Sequence, residues 1–248
     1  MRRLNRPTLP QGDASYLARR QTRVDAGQQI DGAWRTARRT RTMGRIYSTL
    51  SSMSGVRARC FFCGDSRGTD IDHFWPKAIY PGRGFSWLNF ILACSGCNRD
   101  KGARFPLDAT GLPLLIDPTV EDPWDFLFFD ATTGQITPRW GAATGSPDPK
   151  GVSTATSGIL PLNIEAIADG RLRTVRRLSR AVRAFLDQIA AGAVRGAALR
   201  ELLTSVADSD DYGLGSWFFL RDGRDADPFS TLRAADVAAW NAIEANLS

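Results

Sequence analysis

Two Cys-x-x-Cys pairs, Cys60/Cys63 and Cys94/Cys97, contain all four cysteines of this 248-residue chain, with 30 residues between the pairs. The basic opening Met1–Pro7 is not followed by the apolar run of a secretory signal. No stretch approaches the roughly 18 apolar residues that a membrane span needs. The expected setting is therefore cytoplasmic and reducing, where paired cysteines read as a metal site before they read as disulfides. Two vicinal pairs at this spacing predict one tetrahedral zinc held by four thiolates. A redox Cys-x-x-Cys is the alternative, but it would not explain a second pair.

Between the pairs stands His73, the single histidine of the chain, within Asp72-His73-Phe74-Trp75-Pro76. Imidazole is the one side chain whose ordinary pKa suits proton transfer near neutral pH. Asn89 follows five residues before Cys94, and the second pair continues as Cys97-Asn98-Arg99-Asp100-Lys101. Charge is unevenly spread around this block. The net +6 divides into +10 over residues 1–59, with thirteen arginines, no lysine and three aspartates, and −4 over the rest. Such a basic quarter suits a polyanion such as nucleic acid, or an acidic protein partner.

The pattern divides the chain into a basic helical region (1–56), a central block (57–107) and a C-terminal region of hairpin plus helices (108–248). Asp13 is expected to cap a helix to about Val24, and Asp31-Gly32 to open one long helix to about Ser54. In the central block, strands are expected at Val56–Cys60 and Thr69–Phe74, then a loop, then a short helix over Ser95–Ala103. Trp124–Asp130 and Gly134–Trp140 read as a β-hairpin, and Gly141–Gly151 as a loop. Asn163 is expected to cap a helix to about Ala190, burying Leu172, Val175, Val182, Phe185, Leu186 and Ile189 and exposing Arg173, Arg176, Arg177, Arg180 and Arg183. Further helices are expected at Gly196–Ala207 and Thr231–Asn246.

The order Cys-x-x-Cys, Asp72-His73-x-x-Pro76, Asn89, Cys-x-x-Cys-Asn98-x-x-Lys101 resembles the HNH endonucleases, in the variant clamped by a four-cysteine zinc. The last position of the HNH signature is Asn98 here rather than histidine. The resemblance implies an α+β chain, mostly helical, around a zinc-stapled ββα-metal (treble-clef-like) core. It implies phosphodiester hydrolysis with His73 as general base and Asn89 holding it. Asp72 and Asn98 would be the oxygen ligands of a catalytic Mg²⁺ or Mn²⁺. Lys77, Arg99, Lys101 and Arg104 are expected at phosphates. The zinc would be structural, because four thiolates leave no open position and the central block is expected to hold few large apolar side chains.

The longer match His73-Phe-Trp-Pro-Lys77, Trp87-x-Asn89, Phe105-Pro-Leu107 and Ile116-Asp-Pro118 is similar to the bacterial HNH effectors of anti-phage systems, the Septu type and its retron-associated relatives. That implies DNA as substrate and an ABC/SMC-like ATPase subunit as partner. A free-standing nuclease, a zinc module that only binds DNA, and an RNA substrate remain alternatives on sequence alone.

Overall fold

Three helices carry the basic N-terminal region in the computed structural model, which describes residues 1–209 and 212–247. Helix α1 (Gln11–Asp25) buries Leu17 and Val24 together with Asp13. Asp13 is not a cap: its carboxylate takes the Arg45 guanidinium of α3 (Arg41–Met53). The single long helix expected from Asp31 is broken into α2 (Ile30–Ala37) and α3. The reason is Thr40, whose hydroxyl donates to Ala37 O at 2.8 Å and accepts from Met43 N at 3.4 Å. A threonine that ends one helix and caps the next leaves the chain extended at that point.

The central block is an antiparallel pair, β1 (Asp70–His73) and β2 (Phe90–Ala93), followed by α4 (Ser95–Lys101). Asp72 pairs with Ile91 and His73 with Phe90. The strand expected at Val56–Cys60 is reduced to one bridge, Arg59 to Arg67. Ala58 sits at φ 47°, a left-handed turn that a strand cannot continue through. The block also holds more apolar mass than expected. Phe61, Phe62, Phe74, Phe85, Phe90, Ile91 and Leu92 are all buried, so metal ligation would supplement a core rather than replace one.

In the C-terminal region, β3 (Leu127–Phe129) and β4 (Ile136–Pro138) form the expected hairpin, shorter than predicted. The 141–151 segment is more ordered than a loop. It holds the short pair β5 (Trp140–Gly141) and β6 (Ser146–Pro147) and a turn of helix, α5 (Pro149–Gly151), continued as a π-helical turn. Helix α6 (Glu165–Ala190) follows, with Ile164 rather than Asn163 at its N-cap. The Asn163 amide instead accepts from Ile136 N at 2.9 Å and donates to Ile136 O at 2.7 Å, completing the hairpin edge. The buried stripe of α6 runs through Ile167, Arg171, Thr174, Leu178, Val182 and Phe185, while Leu172, Val175, Leu186 and Ile189 are half-buried. All five arginines expected outside are exposed.

Helices α7 (Arg195–Ser209), α8 (Leu214–Leu220), α9 (Phe229–Ala235) and α10 (Val237–Leu247) close the fold. The break between α9 and α10 falls at Asp236, whose carboxylate accepts from Ala239 N at 2.9 Å. The three sequence regions interlock. Arg6 donates to Trp87 O, Phe90 O and Thr119 Oγ1 at 2.8–2.9 Å, so it acts as an internal strut rather than a surface charge. Among the described residues no helix is long and apolar enough to cross a membrane.

Candidate metal centre and active site

The first cysteine knuckle closes because Gly64 adopts φ 68° and returns its N–H to Cys60 O at 2.9 Å. Phe61 N bonds Leu92 O at 2.8 Å, docking that knuckle on β2. The second knuckle starts α4, where Cys94 Sγ accepts from Cys97 N at 3.5 Å. All four sulfurs are buried and lie within 4.8 Å of one another, with Cys63 and Cys94 3.9 Å apart. A tetrahedral zinc with bonds of about 2.3 Å needs sulfurs about 3.8 Å apart, so this donor set fits a zinc ion. Burial pushes the Cys60 thiol up, while hydrogen bonds from the other thiols, Cys60 first, pull Cys94 down. A shared cation relieves that conflict by taking all four as thiolates.

Strand alternation puts Asp70 and Asp72 on one face of β1 and Ile71 and His73 on the other. Lys101, in the last turn of α4, joins the two sides. Its Nζ donates to His73 O at 2.7 Å and lies 3.1 Å from Asp72 Oδ2. Lys101 is wholly buried, so it is a structural counter-charge rather than the surface phosphate contact expected. Among the described residues Lys101 is the one cation that faces Asp72 Oδ2, and burial raises the carboxyl pKa against the opposing pull of that lysine. A buried carboxylate in that state is stable only beside a cation.

His73 is 4% exposed. Its ring meets Trp34 of α2 edge-on at 4.4 Å and Phe90 at 5.5 Å. Desolvation pulls its pKa down to about 4, so the imidazole is neutral at physiological pH. Nε2 lies 2.9 Å from Gly84 O. A carbonyl only accepts, so Nε2 carries the proton and Nδ1 is left as the basic nitrogen. Gly84 keeps this approach uncrowded, since a Cβ at position 84 would meet Ile30 Cδ1 at 2.3 Å and the Ile30 side chain would have to shift.

Asn89 is buried and braces the His73 loop rather than the ring. Its amide accepts from Trp75 N at 2.7 Å and donates to Trp75 O and Arg83 O at 3.0 and 2.9 Å. Asn98 meets Asp70 rather than Asp72, Nδ2 to Oδ2 at 3.4 Å. That pair opens into a cleft of about 460 Å³ bounded also by Trp34, Arg38, Arg39 and Tyr47. Lys77 bonds Asp31 of α2, tying the helix that roofs His73 to the loop beyond it. Arg99 is exposed beside Asp100, and Arg104 holds Asp100 O at 2.9 Å and Ile159 O at 3.3 Å. Of the four cations expected at phosphates, Arg99 and Arg104 stand at the surface. Asp70, Trp34 and Gly84 were not anticipated. Asp70 was legible, two residues before Asp72 on a strand, whereas nothing in the sequence puts α2 over β1.

The arrangement defines a class: a strand pair and helix bound through a buried four-cysteine centre, embedded in a mostly helical chain. No protein-family model matches the chain, and no solved structure matches it. A curated relative, the Septu protein PtuB of Bacillus thuringiensis, is 31% identical over 85 residues, covering 32% of this chain and 32% of the relative. The chain thus matches about a third of that relative's length.

Proposed function

We propose that this chain is a metal-dependent HNH endonuclease that hydrolyses phosphodiester bonds in DNA, acting as the nuclease effector of a bacterial anti-phage complex beside an ATPase subunit. The observation that carries this reading is Lys101, which draws Asp72, His73 and the Asn98 helix onto one small unit beside the four cysteines. The likeness to a Septu protein supports the defence setting and the expectation of a partner.

In this reading the oxygens of Asp72 and Asn98, with Asp70 beside them, would hold a Mg²⁺ or Mn²⁺ ion, which when bound would neutralise charge developing on the scissile phosphate. His73 takes a proton from water through a neutral ring nitrogen. Lys101 fixes the end of β1, and Asn89 fixes the loop that presents the ring. Arg99 and Arg104 meet flanking phosphates.

A second reading, a zinc module that binds DNA without cutting it, is favoured by one observation, the burial of His73 beneath Trp34. One assay separates the two. With Mg²⁺ and plasmid DNA, the wild type should nick and His73→Ala should be slower by about 10²–10⁴-fold while keeping its zinc. Equal rates would remove His73 from catalysis. No Mg²⁺-dependent nicking by the wild type, alone or co-purified with its operon partners, would favour the binding module. A matched RNA in the same assay tests the choice of DNA.

A further inference from the structure

A basic concavity lies apart from the Asp70–Asn98 cleft, between α6 and the first cysteine knuckle. It has a volume of about 530 Å³ and is walled by Arg173, Arg176, Arg177 and Arg180 of α6 on one side and Arg57 and Arg59 on the other. Asp65 is the one carboxylate among its described lining residues, and it is already engaged. Tyr212 Oη donates to Asp65 Oδ1 at 2.5 Å, and Arg59 holds the Asp65 carbonyl. Gly170 makes the floor possible, since a Cβ there would meet Tyr212 Oη at 2.0 Å.

Behind Tyr212 sits a further positive charge. Arg171 is wholly buried, with its guanidinium 5.9 Å from the Tyr212 ring centroid. It donates to Gly134 O at 3.0 Å and Leu162 O at 2.6 Å, and its Nε has no hydrogen-bond partner among the described residues. It makes no ion pair with a carboxylate among the described residues, so its charge reinforces the potential in the pocket. Arg173, Arg176 and Arg180 likewise form no ion pair among the described residues. They recur at i, i+3 and i+7, one stripe about 10 Å long. That is roughly the axial run of three nucleotides on one strand. Every cation lining the pocket is arginine, whose planar fork grips phosphate oxygens in pairs as lysine cannot.

We propose that this pocket binds a run of consecutive phosphates, separately from the Asp70–Asn98 cleft. Its ligand carries successive phosphate groups, supplied either by the phosphodiesters of a nucleic-acid backbone or by the phosphates of a nucleotide. The inference does not depend on the nuclease reading, because binding is measured without cleavage.

The probe is inorganic tripolyphosphate, titrated calorimetrically into the full zinc-loaded chain without Mg²⁺. Three exposed side chains are removed together in Arg173→Ala/Arg176→Ala/Arg180→Ala. A control, Arg19→Ala/Arg23→Ala/Arg35→Ala, removes equal charge from the N-terminal helices. Each lost arginine–phosphate contact should weaken binding about tenfold, so the α6 variant should bind about 10³-fold more weakly and the control within about twofold of wild type. Circular dichroism checks that both variants fold. No binding by the folded wild type, or equal weakening in both variants, would overturn the proposal.

Competition then identifies the source. Displacement by a short duplex, with the log–log salt slope of duplex binding falling by about 2.7 in the α6 variant, assigns a nucleic-acid backbone. Displacement by ATP but not by duplex or single strand assigns a nucleotide. Tripolyphosphate binding that neither ligand displaces would overturn the assignment of a nucleic-acid or nucleotide phosphate ligand.

Discussion

Lys101 and Arg171 are both wholly buried cations, one in the central block and one in the C-terminal region, and they are compensated in opposite ways. Lys101 has a carboxylate at 3.1 Å and a carbonyl at 2.7 Å, so charge in the central block is closed upon itself. Arg171 has carbonyl oxygens and an amide oxygen, and desolvation pulls its pKa down to about 10, which still leaves it charged at neutral pH. The first cation locks a strand to a helix. The second joins the β3–β4 turn to α6 and leaves its field directed at a surface already rich in arginine. Internal pairing makes a rigid site, whereas neutral ligation of a buried charge makes a long-range electrostatic one.

The most severe way to break the contrast is to take away the metal that the four cysteines would hold. Cys97→Ser, or chelation under mild denaturant, should strip the central block of a contribution on the order of 10 kcal/mol. Amide exchange should then rise across Phe61–Leu92 well before it rises in α6 and α8. Equal protection in both regions would mean that the buried phenylalanines hold the block unaided.

Next in size is Lys101→Met, which strands Asp72 and should destabilise the fold by about 3–5 kcal/mol in urea titration. Adding Asp72→Asn should return much of that loss. A double variant no better than the single one would show that Lys101 acts through the His73 carbonyl instead. Arg171→Met should lose less, about 1–3 kcal/mol, because it strands only neutral acceptors. A loss as large as that of Lys101→Met would point to a carboxylate partner and erase the distinction.

The smallest effect concerns the turn that supplies Arg171 with Gly134 O. Asp130 accepts from the Thr132 and Thr133 hydroxyls, and these bonds hold its pKa at about 2, below the usual carboxylate range. A depressed carboxylate stabilises the fold above its unfolded pKa, and that share disappears as pH falls from about 4 through about 2. The turn is solvent-accessible, so the loss should stay near 0.5 kcal/mol. Asp130→Asn should flatten the corresponding slope of stability against pH.

How legible all this was varied with the type of signal. The four cysteines came together as their spacing implied, because ligand spacing is a local geometric constraint. The arginine face of α6 was legible from its period, since charged side chains seldom enter a core. Arg171 broke that rule. It reads as one more arginine in an arginine-rich helix, and only the convergence of Gly134 and Leu162 carbonyls reveals its burial. Strand β2 was missed because Phe-Ile-Leu-Ala is buried on both faces and carries no alternation. The break at Thr40 was hidden by an apolar period that ran on across it. Asp72 and His73 were legible as residues, but their partners were not. Lys101, Gly84 and Trp34 arrive from other elements, and tertiary approach leaves little trace in a single sequence.

Trp34 and Gly84 give the lone histidine a practical consequence. With one imidazole per chain, any histidine-directed reagent or imidazole resonance reports a single site without labelling. Buried to 4% exposure, that ring is shielded from solvent. The rate at which diethyl pyrocarbonate reaches it would therefore report any opening of the cover made by Trp34, Phe90 and the Gly84 loop. A partner, a nucleic acid or a nucleotide that changes this rate would identify itself by kinetics alone, before any bond is cut.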